Sequence, residues 1–204
     1  MSKAMKWGVG VVAGLIGLGA LAFVPSTMHI ERSLHMQASP EAVYAQVVDV
    51  ELAQGWSPWA AADPSMEISY GDAKQGVGAS YSWTSDAQGS GTLTIIEAEP
   101  FRSIRNDLDF GEQGGGVGTW RFESDGEGTN TTWMMDGEGP LLFTLVADRL
   151  VGPMFEDGLA RLKTQAEQWT PPKPEPAEEA AVQEAPDEQN AQDEAESGQA
   201  PPAP

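Results

Sequence analysis

Six short segments between residues 65 and 137 alternate apolar and polar residues, and this alternation constrains the fold more than any other feature of the chain. The segments span residues 65–70, 78–83, 91–98, 103–110, 118–124 and 131–137. Turn-forming pairs such as Gly71-Asp72 and Asp125-Gly126 separate them. Period-two alternation is typical of strands that bury one face. The pattern therefore predicts an antiparallel meander.

Segments of a different kind stand before and after this meander. An alternating run over 29–38 predicts a further strand, and Ser39 and Pro40 then supply the N-cap and first position of a short helix. From 141 to 168 apolar residues recur at helical spacing, with a break or kink expected near Gly152-Pro153. The order is strand, short helix, strand series and long helix, which predicts an α+β fold.

The N-terminal segment, residues 1–26, reads as a membrane anchor. Lys3 and Lys6 precede an apolar run of 18 residues, 7–24, that carries no charge. That length is close to the minimum for crossing a bilayer, and the flanking lysines favour a cytoplasmic N-terminus. A cleaved signal peptide is the alternative, since Ala20-Leu21-Ala22 resembles a cleavage pattern. Both interpretations place residues 27–170 on the extracytoplasmic side. An uncleaved anchor would hold them at the cytoplasmic membrane, and cleavage would leave them secreted or periplasmic.

The C-terminal segment, residues 171–204, is rich in Pro, Ala, Glu and Gln and contains no aromatic residue. It cannot bury enough apolar surface to offset the entropy of ordering, so we expect a disordered acidic tail. Nine acidic residues stand there against Lys173 alone. A solvated extension is the simplest interpretation, and docking to a basic protein partner is the other.

Net charge and composition exclude several classes of function. The chain has a formal charge of −20 and no cysteine. Nucleic-acid binding needs clustered Lys and Arg, which this sequence lacks. Thiolate metal sites and cysteine nucleophiles are excluded as well. His29 and His35 share one face of a strand, but two histidines without a third ligand do not predict a metal site.

The order of these pieces resembles the START-like superfamily, also called SRPBCC, and within it the polyketide cyclase/dehydrase and lipid-transport family. The resemblance covers about residues 29–169, in the order "IERSLHMQASPEAVYAQVVDV", "WSPW" with "DP", "GVGASYSW", "GSGTLTIIEAEP", "GTNTTW" and "FEDGLARLKTQAEQ". It implies a helix-grip fold, in which a curved antiparallel sheet wraps around a long C-terminal helix and encloses an apolar cavity.

Strand parity then predicts which residues face that cavity. The apolar ones form one set: Leu34, Met36, Ile68, Tyr70, Tyr81, Trp83, Ile104, Leu108, Phe110, Trp120, Phe122, Trp133 and Met135. Arg32, Tyr70, Tyr81, Thr94, Asn106 and Thr131 are the polar residues on the same face, and Asp107, Asp109 and Glu123 fall on the opposite one.

Two tryptophans in the loop "GWSPWAAADP", residues 55–64, need a separate explanation. By the resemblance, Trp56 and Trp59 cover one end of the cavity or pack at its rim, and the alternative is that they plug the core. Thirteen residues form the predicted ligand site: Arg32, Trp56, Trp59, Tyr70, Tyr81, Trp83, Asn106, Leu108, Trp120, Trp133, Met135, Phe155 and Leu159.

No residue pattern in the sequence predicts a particular type of reaction. The predicted inner face has no carboxylate or histidine for general acid–base work, and the glycine-rich run 111–118 precedes a strand rather than a helix, which favours a hairpin loop over a dinucleotide site. We expect no cofactor and no catalytic residue. Arg32 would hold a ligand carboxylate or phosphate, or else form a bridge to Asp or Glu at the sheet edge.

Three functions from different classes follow. The first is a non-enzymatic module, tethered to a membrane, that binds a hydrophobic small molecule or lipid. The second is a cyclase or dehydratase in which Arg32, Tyr70 or Tyr81 positions the substrate. The third is a cell-envelope interaction protein whose cavity is filled by its own side chains and whose acidic tail binds the partner.

Overall fold

One seven-stranded sheet organises the domain in the computed structural model, which describes residues 24–171. All neighbouring strands are antiparallel, in the order β1-β7-β6-β5-β4-β3-β2. Their bounds are β1 Pro25–Met36, β2 Glu67–Tyr70, β3 Ser80–Ser85, β4 Gly89–Glu99, β5 Ser103–Asp109, β6 Gly115–Ser124 and β7 Thr129–Pro140. The strand at 29–38 and the six-segment meander are thus confirmed. β1 crosses to pair with the last strand.

Between residues 24 and 171, four helices cover one face of this sheet or connect its strands. They are α1 Pro40–Val48, α2 Ala53–Trp56, α3 Pro58–Ala62 and α4 Leu141–Gln168. Ser39 caps α1 as predicted, because its hydroxyl accepts a hydrogen bond from the Ala42 amide at 3.2 Å. The antiparallel sheet with a long C-terminal helix is the helix-grip architecture.

The long helix α4 runs without interruption through Gly152 and Pro153, so of the predicted break or kink the break is absent, and the kink stays a prediction. Its second half buries Phe155, Leu159 and Leu162 against the sheet at 1% exposure or less. Its first half instead leaves most of its apolar side chains exposed.

Strand register sorts the side chains onto two faces, and it corrects the parity predicted for β4. Ile95 pairs with Asn106 and Leu93 pairs with Leu108, so these four side chains share the inner face. Thr94 pairs with Asp107 on the outer face, and the prediction that Thr94 points inward is wrong. Apolar residues of both parities occur in this segment, and a bulge after Ile95 shifts the register, so alternation alone could not assign the face.

The glycine-rich run is partly strand. Only Gly111–Gln113 form a 3₁₀ turn, and β6 begins at Gly115, three residues before the predicted strand. A Cβ at Gly116 would lie 2.7 Å from the Asp136 carbonyl oxygen, which explains why glycine is required inside this strand.

The predicted anchor and tail fall almost entirely on residues 1–23 and 172–204, outside the described residues, and they stay predictions. Within residues 24–171, no helix combines the length and the apolar character that a membrane crossing requires. Pro25 and Ser26, placed in the anchor segment by the sequence, belong to β1.

Candidate functional site

A small, partly open cavity lies between the inner face of the sheet and the helices α1, α2 and α3. Its volume is about 60 Å³. That is room for a few water molecules, whereas ligand pockets typically measure about 300–1,000 Å³. Aromatic and aliphatic side chains form nearly all of its wall: Val47, Val50, Ala53, Trp56, Trp59, Tyr81, Leu93, Ile95, Ile104, Trp120 and Trp133. Ser57 and Asn106 complete the wall and, with the Tyr81 hydroxyl, are its polar groups.

Stacked aromatic rings form one side of this cavity. Trp120 and Trp133 are cross-strand partners on β6 and β7, and their rings stack with centroids 4.4 Å apart. Phe155 of α4 stacks on the other side of Trp133 at 3.9 Å, with the ring planes 9° apart. Gly158 permits this approach, because a Cβ there would lie 2.8 Å from Cζ3 of Trp133. The stack joins the sheet to the long helix.

Trp56 belongs to the core as well as to the cavity wall. Its side chain is buried, and its indole Nε1 donates a hydrogen bond to the Gln46 carbonyl at 2.9 Å. Its ring meets Trp120 and Trp133 edge-on at 5.4 and 5.8 Å. A partnered indole with these contacts is a fixed part of the fold.

Trp59 closes the cavity from the side of α3 and is only partly buried. Its ring meets Trp133 and Phe155 edge-on at 5.5 and 6.1 Å. The helix that carries it has five residues and begins at Pro58, and the Ser57 hydroxyl accepts a hydrogen bond from the Ala60 amide at 3.3 Å. Both interpretations of the loop therefore hold in part: Trp56 plugs the core and Trp59 covers the cavity.

The polar groups of the wall are few, and one of them lacks a partner. Asn106 is 6% exposed, and its Oδ1 has no hydrogen-bond partner among the described residues. The amide lies over Gly118 on the neighbouring strand, where a Cβ would collide with it. A buried amide oxygen without a partner costs about 1–3 kcal/mol. The position is therefore one where a bound polar group would stabilise the protein.

Tyr81 contributes a phenol to the same wall. Burial raises the pKa of Tyr81 to about 12, although the Gln54 side chain acts in the opposite direction. The hydroxyl therefore stays protonated at neutral pH and is available as a donor. No carboxylate, histidine or lysine lines the cavity within residues 24–171.

Arg32 lies outside the cavity wall and binds the long helix. Its Nη1 donates to Asp148 Oδ1, and its Nε donates to Glu156 Oε1, both at 2.8 Å. Those hydrogen bonds, Asp148 first, raise the pKa of Arg32. The guanidinium occupies a notch at Gly152, where a Cβ would collide with Nη2. Of the two roles predicted for Arg32, the structure has a carboxylate bridge, although its partners lie on α4 and not at the sheet edge.

Six of the thirteen predicted site residues line the cavity, namely Trp56, Trp59, Tyr81, Asn106, Trp120 and Trp133. Phe155, Leu159 and Met135 are buried in the surrounding core, and Leu108 packs against it. Tyr70 is correctly assigned to the inner face, because it pairs with Tyr81, but it lies on the edge strand and is 36% exposed. Trp83 packs over Gly91, away from the cavity.

Sequence reasoning missed the contribution of α1 and β4 to the wall. Val47 of α1 and Leu93 and Ile95 of β4 line the cavity, but strand parity predicts none of them, because α1 is a helix and the parity assigned to β4 is wrong. On the outer face, His29 pairs with Asp136 at 2.6 Å and His35 with Asp125 at 2.9 Å. Within the described part of the chain, no cluster of three metal-ligating side chains occurs.

Known structures share this architecture at low sequence identity. A norcoclaurine synthase from Thalictrum flavum superposes with a TM-score of 0.56 at 13% identity, over 72% of this chain and 97% of that one. The Zhui aromatase/cyclase from Streptomyces sp. R1128 gives 0.53 at 18% identity, over 70% and 95%. A protein from Chromobacterium violaceum gives 0.53 at 18% identity, over 68% and 96%. These similarities establish the fold alone.

Sequence comparison establishes the family. No curated protein matches the chain. The model of the family described as polyketide cyclase / dehydrase and lipid transport, in contrast, matches residues 27–167, nearly all of the folded part. The order of strands and helices, the cavity between sheet and helices, and this match agree. The chain belongs to the polyketide cyclase/dehydrase and lipid-transport family of the START-like superfamily.

Proposed function

We propose that this domain binds a small, largely apolar molecule that carries one polar group, without transforming it. The observation that supports this most directly is the unpartnered Oδ1 of Asn106 in the wall of an otherwise apolar cavity. The few polar groups of an apolar pocket usually fix the orientation of a ligand. Asn106 and the protonated hydroxyl of Tyr81 would serve this purpose.

Binding requires that the cavity grows, and Trp59 is the side chain that can move. It is less buried than Trp56, and its helix has only five residues. Its indole makes no hydrogen bond within the described residues, although its backbone carbonyl accepts one from the Gln88 side chain at 3.0 Å. In the proposed bound state, the ligand takes the place of this indole against Trp133 and Phe155.

A membrane tether is the second part of the proposal. The apolar run 7–24 would anchor the chain, and the domain would lie on the extracytoplasmic side. Support comes from the uninterrupted apolar sequence and the lysines that precede it. An apolar ligand concentrates in a bilayer, so tethering would keep the domain close to its source.

The test compares three proteins: the wild type, Trp59→Ala and the matched control Trp83→Ala. The probe is N-phenyl-1-naphthylamine, a neutral fluorophore with one N–H group. We expect the wild type to bind this probe and Trp83→Ala to resemble the wild type. Trp59→Ala should bind it about tenfold more tightly, because the probe no longer has to displace the Trp59 indole, which saves about 1.4 kcal/mol. Native mass spectrometry of protein exposed to membrane extract would then identify the natural ligand.

A filled cavity is the second candidate, and the small volume of about 60 Å³ favours it. The domain would then act as an interaction module and the acidic tail would bind a basic partner. Probe binding by Trp59→Ala alone would support this candidate, since removing an indole creates a cavity that the natural protein does not have. Loss of partner binding on deletion of residues 171–204 would support it further.

Catalysis of the cyclase type would have to use Tyr81 and Asn106, since the hydroxyl of Ser57, the third polar side chain of the wall, caps α3. Neither is a general base at neutral pH, since the phenol stays protonated and an amide does not titrate there. The binding function is therefore better supported than the enzymatic one.

A further inference from the structure

The first half of α4 carries an exposed apolar stripe, which we call the α4 stripe. It consists of Leu142, Val146 and Leu150, with Phe143 and Leu145 beside it. These five side chains are 41–71% exposed. Leu142, Val146 and Leu150 recur every four residues and so lie along one face of the helix. Isolated exposed leucines are ordinary, but a continuous apolar surface marks a contact site.

Charge is absent from the start of this helix. Residues 141–147 read "LLFTLVA" and include no ionisable side chain. Asp148, the next residue, turns toward the sheet and binds Arg32. Arg149 is exposed and follows Leu142 and Leu145 at spacings of seven and four residues, so it borders the α4 stripe. Helices that lie in a membrane interface combine an apolar face with Lys and Arg on the polar side, and Arg149 supplies one such residue here.

The α4 stripe begins where the predicted anchor ends. Val24 is the last residue of the apolar run 7–24, and its carbonyl accepts a hydrogen bond from the Leu141 amide at 2.8 Å. Pro25, the next residue, pairs with Pro140 at the end of β7. No linker therefore separates the apolar run from the first turn of α4. If the run crosses a bilayer, that turn must lie at the bilayer surface.

We infer that the α4 stripe rests in the headgroup region of the bilayer and holds the domain in one orientation. This rests on the tether proposed above. The apolar run itself is a less suitable cover for the stripe, because it leads directly into β1 and would have to turn back at Val24, whereas its 18 residues without a charge suit a bilayer crossing. An interfacial helix buries its apolar side about 5–10 Å into the boundary between headgroups and acyl chains.

The chain contains no cysteine, so single labels can be placed on the full-length protein. Val146→Cys and Leu150→Cys report on the α4 stripe. Thr164→Cys is the matched control, since it is exposed on the same helix and lies about 27 Å from position 146 at 1.5 Å per residue. Each variant carries a bimane label and is reconstituted with phosphatidylcholine vesicles, with or without lipid bearing a nitroxide near the headgroup.

We expect the protein to float with the vesicles, and the labels at 146 and 150 to lose about half of their emission to the nitroxide lipid, as expected for side chains at the depth of an interfacial helix. Both should be shielded from aqueous iodide, and the label at 164 should show the opposite behaviour. Flotation without quenching at 146 and 150 would overturn the orientation and leave the tether intact. Failure to float would overturn both. Shielding from iodide without lipid quenching would show that protein covers the stripe, which also overturns the inference.

Discussion

Replacing Asn106 with leucine should stabilise the free protein and weaken the binding of polar ligands. Leucine has nearly the shape of asparagine, and the position is 6% exposed in the middle of β5. The substitution removes the unpartnered Oδ1 and leaves the glycine at 118, over which the side chain lies, unchanged. Stability and binding are therefore expected to change in opposite directions.

The magnitude follows from the cost of the unpartnered group. A buried amide oxygen without a hydrogen bond costs about 1–3 kcal/mol, and the substitution recovers that amount. For a domain of this size, 1 kcal/mol changes Tm by about 2–4 °C. We therefore expect Asn106→Leu to raise Tm by about 2–12 °C. The loss of the amide should reduce affinity for N-phenyl-1-naphthylamine about tenfold, which corresponds to about 1.4 kcal/mol.

Thermal unfolding and fluorescence titration measure the two effects. Asn130→Leu is the matched control, because Asn130 is exposed on the outer face of β7, and its effect should stay within about 0.5 kcal/mol. A second control is 1-benzylnaphthalene, which has a methylene in place of the N–H group and should bind Asn106→Leu and wild type equally. If Asn106→Leu lowers the free energy of unfolding by more than about 1 kcal/mol, the amide is a satisfied structural group and the reasoning fails.

Two further perturbations test the contacts around α4 and β1. Gly152→Ala should be neutral or destabilising in the wild type, because its Cβ displaces Arg32, but it should stabilise the Arg32→Met variant by about 1 kcal/mol through helix propensity. Urea unfolding of the wild type, the two single variants and the double variant gives the coupling energy. If the two effects simply add, the Arg32 guanidinium does not occupy the space at Gly152. The hydrogen bond that His29 donates to Asp136 raises the pKa of His29, so the pair stabilises the fold below about pH 6.5 and loses this effect as pH rises through the folded-state pKa. Both side chains are more than half exposed, so wild type and His29→Gln should differ by less than about 1 kcal/mol at pH 5.5 and converge at pH 8.5 in urea unfolding. A difference that grows with pH would refute this assignment.

Most of the fold could be predicted from the sequence because its strands alternate cleanly. Trp120 and Trp133 fall on the buried parity of their strands, and the structure pairs them directly. Prediction failed at β4, where Leu93, Ile95 and Ile96 are apolar on both parities and a bulge changes the register. Local alternation carries no information about a bulge, since the extra residue is defined by the partner strand.

The candidate site was harder to predict. Local alternation shows which face of a strand a residue lies on, but whether that residue reaches the cavity depends on how the whole domain packs. Tyr70 and Tyr81 share a face, but only Tyr81 reaches the cavity, since β2 is the edge strand. The bridge from Arg32 to Asp148 and Glu156 joins residues more than 100 positions apart. Only the packing of α4 across β1 brings them together, and no spacing in the sequence encodes that packing.

The stack of Trp120, Trp133 and Phe155 also gives the protein an optical reporter of its own. Two indoles with centroids 4.4 Å apart couple electronically, and Trp56 meets both of them edge-on while Trp59 meets Trp133 edge-on. Any molecule that displaces Trp59 changes the environment of these chromophores. The near-ultraviolet circular dichroism of the unlabelled protein should therefore change when the cavity is occupied, so that candidate ligands can be screened without dye or label.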